Sequence, residues 1–106
     1  MKFSDLPKTI KIFDTNYKIE YVDNPAEVDI HKRESLWGQI DFWTRTIRIY
    51  KNNRSPEDIW QVIWHEVLHG ICYKMGIDDL LVDEKKINSL AIGINTIIVD
   101  NFIKRR

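Results

Sequence analysis

Residues 55–76 read SPEDIWQVIWHEVLHGICYKMG, and the way this stretch folds decides how the rest of the chain must be arranged. Ser55 is a natural N-cap, Pro56 suits the first helical position, and Asp58 completes a Ser-x-x-Asp capping box. Gly76 is placed to end the helix, so a helix is expected from Pro56 to about Met75. Ile59, Trp60, Val62, Ile63, Trp64, Val67, Leu68, Ile71 and Tyr73 cover most of its circumference. A helix apolar nearly all round is a central one, packed on several sides. Within it lies His65-Glu66-Val67-Leu68-His69. Residues four apart on a helix stand one above the other, so both imidazoles can reach a single metal ion. Glu66 points toward the same cleft, where it can take a proton from water held by that ion. Burying two histidines and a glutamate in an apolar helix needs a compensating partner, and a divalent cation supplies one.

Outward from this helix, the preceding half of the chain reads as strands. Thr9 to Phe13 and Tyr17 to Val22 alternate apolar with polar residues around Asp14-Thr15-Asn16, the pattern of a hairpin with Asp and Asn in its turn. Asp23-Asn24-Pro25 closes the second strand. Residues 25–36 are highly charged and carry little periodicity, which suits a loop with at most one helical turn. Leu36 to Phe42 and Thr46 to Tyr50 form a second expected hairpin, turning at Trp43-Thr44-Arg45, with one buried and one wet face. Arg45 and Arg48 belong to the wet one.

Beyond Gly76, a second helix is expected from Asp83 to about Phe102, with Ile87, Leu90, Ala91, Ile94, Ile98 and Phe102 as its inward stripe. Glu84 falls on that stripe, where a carboxylate is costly unless paired. The fold class that follows is α+β. A small antiparallel or mixed sheet of about four strands packs on the central helix and a C-terminal helix.

The chain has 106 residues, which suits a single domain spanning 1–106. Sixteen basic residues balance sixteen acidic ones, so no global field draws it to nucleic acid or an anionic membrane. Lys104-Arg105-Arg106 reads as cations at a helix C-terminus. One cysteine, Cys72, excludes an internal disulfide and a paired-cysteine zinc knuckle. Met1 to Pro7 contains no apolar h-region and no apolar run reaches membrane-spanning length, so a cytoplasmic protein is expected.

Catalytic zinc takes three protein ligands and leaves a fourth position for water. The histidines supply two. Candidates for the third are Glu84, Asp83, Cys72 and His31. Glu84 leads, because it begins a helix whose apolar face must pack on the histidine helix, and because it reaches further than Asp83. Asp83 suits the N-cap of that helix. Cys72 lies on roughly the same helical face as the histidines but has the surroundings of a small buried thiol. His31 has no spacing in its favour.

His65-Glu66-Val67-Leu68-His69, its uncharged flanks and the downstream Glu84 resemble the gluzincin branch of zinc metallopeptidases. The likeness is to its minimal forms of roughly a hundred residues, found in phage genomes and mobile elements. A looser likeness links the chain to the peptidase domain of ImmA/IrrE-type regulators. The resemblance spans about residues 36–102 and implies a zincin-like fold. By it, His65, His69 and Glu84 ligate one zinc ion (Zn2+), and Glu66 is the general base and acid for peptide-bond hydrolysis of a peptide or protein substrate. One departure is Asn88, where gluzincins commonly place an Asp that orients a zinc-bound His. Another is the lack of a large C-terminal subdomain to wall the cleft. Tyr50, Tyr73 and His31 are candidate oxyanion helpers, and strand 46–50, if at a sheet edge, could hold an extended peptide. Two other readings stay open: a silent fold using zinc for stability or partner binding, and a metal-free interaction module exposing Trp37, Trp43 or Trp60.

Overall fold

Strand pairing in the first half follows from which side chains must share a face. A computed structural model of the chain describes residues 5–29 and 37–103. In it β1 (Thr9–Ile12) and β2 (Thr15–Val22) pair antiparallel, with Ile10 opposite Tyr17 and Ile12 opposite Thr15. The turn is therefore Phe13-Asp14, not the expected Asp14-Thr15-Asn16, and Phe13 adopts a left-handed φ of 55°. Directly opposed residues point to one face. Only a pairing of this parity puts Ile10 and Ile12 beside Tyr17 and Ile19; a turn centred on Thr15 would oppose Ile12 to Lys18. Phe13 leaves the strand and stands exposed.

After β2, Asn24 caps a single 3-10 turn at Pro25–Glu27 by accepting from the Ala26 amide at 3.0 Å, the one helical turn expected in this segment. The rest of the expected loop, with Leu36 and His31, lies outside the described residues, as do Lys104 to Arg106. β3 (Gly38–Asp41) and β4 (Thr46–Tyr50) form the second hairpin. Its turn begins at Phe42, one residue before the expected one. Asp41 Oδ1 accepts from the amides of Trp43 and Thr44 at 2.8 and 3.0 Å, ending β3 early.

The sheet order is β1-β2-β4-β3, with β2 and β4 parallel. Strand 46–50 is thus central and paired on both sides, so the sheet-edge position that would let it hold an extended peptide is not the one it occupies. Ile47 and Ile49 are wholly buried and need neighbours on either flank. Among the described residues, β3 is the edge strand beside the helices. On the sheet's outer face Arg48 pairs with its cross-strand neighbour Glu20 at 3.4 Å and donates to the Glu27 carbonyl at 3.1 Å, so it is tied down and not merely solvated.

The inner face packs on α1 (Pro56–Met75), which starts and stops where its caps direct. Ser55 Oγ accepts from the Asp58 amide at 3.1 Å, and Gly76 ends the helix at a φ of 70°. Ile12, Tyr17, Ile19, Ile47 and Ile49 from the sheet meet Ile59, Trp60 and Ile63 from α1 in one buried cluster. Trp60 stacks on Trp64 in this core, which removes it from the aromatic surface suggested above, while Trp37 and Trp43 are exposed.

A short helix not anticipated from sequence, α2 (Asp78–Leu81), then turns the chain into α3 (Glu84–Phe102). α3 lies along α1, on the side away from the sheet. Having one main partner, it buries a narrow stripe of Ile87, Ala91, Asn95 and Val99. Leu90 and Phe102, expected inward, are exposed. Asn95 fills its place in the stripe by donating from Nδ2 to the Glu57 carbonyl, which ties α3 to the first turn of α1. Among the described residues the result is an α+β arrangement with a four-stranded mixed open sheet and three α-helices. No described helix is long and apolar enough to cross a membrane.

β3 approaches α1 closely at Gly38. A Cβ there would stand 2.5 Å from Val62 Cγ1 and 3.0 Å from Glu66 Oε2. Gly38→Ala should therefore destabilise the chain by about 1–3 kcal/mol, as overpacking does. Urea midpoints for the single variants and for Gly38→Ala with Val62→Ala should show favourable coupling, because trimming Val62 removes the clash.

Candidate metal centre

His65 and His69 stand four residues apart on α1, their ring centroids 5.0 Å apart, and their Nε2 atoms approach to 3.3 Å. α2 and the turn after it carry the chain back, so that Glu84 opens α3 directly opposite both rings. Its carboxylate spans them: Oε2 is 2.9 Å from His65 Nε2 and Oε1 is 2.8 Å from His69 Nε2. One potential ligand atom from each of the three residues lies within 4.8 Å of the others.

These spacings can be set against a coordination shell. Zinc held tetrahedrally by nitrogen or oxygen at about 2.0–2.1 Å sets its ligands about 3.3–3.4 Å apart. The two imidazoles already match. The carboxylate is closer to each ring by roughly half an ångström than such a shell requires. Its side chain is the most exposed of the three, so a small rotation opens the gap. Two nitrogens and one carboxylate therefore fit a divalent cation of borderline softness, with one side left open.

Asp83 does not join the cluster. It caps α3, accepting from the Lys86 amide at 3.0 Å, as its alternative reading had it. Cys72 is buried in the core, where desolvation pushes its thiol up. Tyr73 stacks on Phe42 with centroids 4.0 Å apart, and neither Tyr73 nor Tyr50 lines the cavity at the histidines. Asn88 borders a neighbouring cavity, while the Nε2 atoms of the two rings contact each other and Glu84.

Glu66 is buried beneath this group and borders the same cavity of about 590 Å³. Burial pushes its carboxyl up to about 8, the Glu84 charge adds to the rise, and the Ile40 amide opposes it. These surroundings favour the protonated form of Glu66. A cation at the triad acts in the opposite sense, favouring the ionised form that a base requires. Burial holds His69 below its ordinary value, against the pull of Glu84, so the ring is neutral and free to ligate.

Three contributors had escaped the sequence reading. The edge strand β3 supplies Gly38, Gln39 and Ile40 to the cavity wall. The Leu81 carbonyl of α2 acts on His69, favouring its protonated form. Arg54 and Trp37 flank the second cavity. Gly38 had a legible signal, a glycine inside a strand pattern, which marks close backbone approach. A backbone carbonyl leaves no signal in sequence.

Comparison with known proteins adds no relative: no family model matches the chain, and neither a curated protein nor a solved structure matches it significantly.

The ligand set makes a selective prediction. Zn2+ or Co2+ added to chelator-treated protein should raise Tm, whereas Mg2+ at the same concentration should not. Glu84→Ala should lose most of the shift. Asn88→Ala should weaken metal affinity by about ten-fold at most, the lower end for a residue outside the shell. Differential scanning fluorimetry against metal concentration reads both.

Proposed function

We propose that this chain is a small zinc-dependent peptidase of the gluzincin kind, working in the cytoplasm on a peptide or protein substrate. His65, His69 and Glu84 hold one zinc ion and Glu66 moves the protons. The observation that carries this reading is the convergence of two Nε2 atoms and one carboxylate within reach of a single ion, directly beside a buried glutamate. A set of two histidines and a glutamate is one that catalytic zinc uses when a position is kept for solvent.

Bound zinc supplies Lewis acidity, making water more acidic and a carbonyl more electrophilic. Glu66 accepts the water proton as the oxygen adds to the carbonyl carbon. It returns that proton to the nitrogen as the C–N bond breaks. Burial suits the second half of this cycle, since a carboxyl with a raised pKa is a competent acid near neutrality. β3 borders the cavity as an edge strand of the described sheet, and an extended peptide can lie alongside it. Gly38 leaves backbone, without a side chain, at the point closest to Glu66.

A silent zinc-stapled fold is the competing reading. It is favoured by the small core, since a chain of this size gains much from one metal. Glu66→Gln separates the two. The wild type should bind about one equivalent of zinc and cleave a peptide library, and the variant should keep zinc while losing at least about 100-fold in rate, as removal of a general base does. Equal cleavage by both proteins would overturn the peptidase reading. Full zinc loading without cleavage by the wild type would favour the silent one.

A further inference from the structure

Beside the histidines lies a second cavity, of about 450 Å³, bordered by Trp37, Gly38, Arg54, Glu66 and Glu84 among others. Arg54 immediately precedes the α1 cap and lays its guanidinium over the Trp37 ring, 4.0 Å from the centroid. Its Nη1 is buried without a hydrogen-bond partner among the described residues. Nor does Arg54 form an ion pair with a described residue: Asp58 and Tyr50 act on it only at longer range. A desolvated, unpaired guanidinium nitrogen is costly. Here the cost is met by an aromatic platform that fixes the plane of the fork while leaving Nη1 unused. The two acids in the same cavity are engaged elsewhere, Glu84 on the histidine rings and Glu66 beneath them.

We propose that Arg54, held flat on Trp37, is a carboxylate-binding subsite of the cleft, which selects peptides presenting a carboxylate near the bond to be cut. A planar fork matches a carboxylate in two parallel hydrogen bonds. The role in substrate choice rests on the peptidase reading; binding of the carboxylate itself does not. The group can be a peptide's C-terminus or an Asp or Glu side chain, and the same chemistry serves both.

The test follows the Arg54 Nε–H and Trp37 indole N–H resonances of isotope-labelled protein, zinc-loaded and chelator-treated, during titration with four peptides. These are Ala-Ala-Ala and Ala-Asp-Ala, each with a free or an amidated C-terminus. At least one carboxylate-bearing peptide should shift both resonances and bind about ten-fold or more tightly than amidated Ala-Ala-Ala, the scale of one charge-assisted pair. Response to the free terminus alone identifies an end-recognising site, and response to Asp alone a side-chain site. Arg54→Gln should abolish the preference while leaving the weak binding of amidated Ala-Ala-Ala unchanged. Trp37→Leu should reduce it, and tests the pair independently should Arg54→Gln disturb the helix start. Equal binding of all four peptides in both protein forms, or a preference that survives Arg54→Gln, overturns the subsite. A preference that persists in protein unable to take up zinc leaves the subsite standing and removes the peptidase reading instead.

Discussion

Everything in this fold turns on a buried helix that carries charge-bearing side chains. α1 is packed by the sheet on one side and by α3 on the other, yet it holds Glu66 and His69 out of water. An apolar helix is stable there through burial alone; a helix with a carboxyl and imidazoles is not, unless something answers their polarity. The answer is local. Glu84 is delivered to both rings, the Ile40 amide favours the charged form of Glu66, and the two imidazole nitrogens have the spacing of a coordination shell. The sheet, the turn through α2 and the start of α3 are all placed so that this can happen.

The electrostatics of the cluster are mutually dependent. Glu84 raises the pKa of both Glu66 and His69, while burial raises one and lowers the other. The balance favours the protonated form of Glu66 and the neutral form of His69. A divalent cation reverses the first and exploits the second, because metal ligands must be deprotonated and a nearby cation stabilises carboxylate. The proposed proton transfers use only Glu66, which the packing already places beside the cluster.

Geometry around the cluster explains why the open side faces β3. Gly38 lets the edge strand come within contact distance of Val62 and Glu66. The most apolar strand, β4, is drawn to the sheet centre, and the shorter β3, with its glycine and polar residues, is left at the edge beside the cavity. Arg54 and Trp37 extend the same wall past the histidines.

Much of this was legible in the residues alone. The caps Ser55 and Gly76 bounded α1, the four-residue spacing paired His65 with His69, and the start of a helix that must pack on α1 singled out Glu84, because each of these is a local, periodic signal. The burial cost expected for Glu84 does not arise, since its side chain is exposed. Asp83 was readable as a cap for the same reason. The Phe13-Asp14 turn was misread because its register depends on which face of β2 meets α1. The stripe on α3 was misread because its width depends on how many partners the helix has, so Leu90 and Phe102 were placed inward and Asn95 was passed over. Only the tertiary structure decided that β4 is central, that α2 intervenes, and that Arg54 and Trp37 stand beside the histidines. These are contacts between residues distant in sequence, and periodicity records a side chain's face but not the neighbour it meets across space.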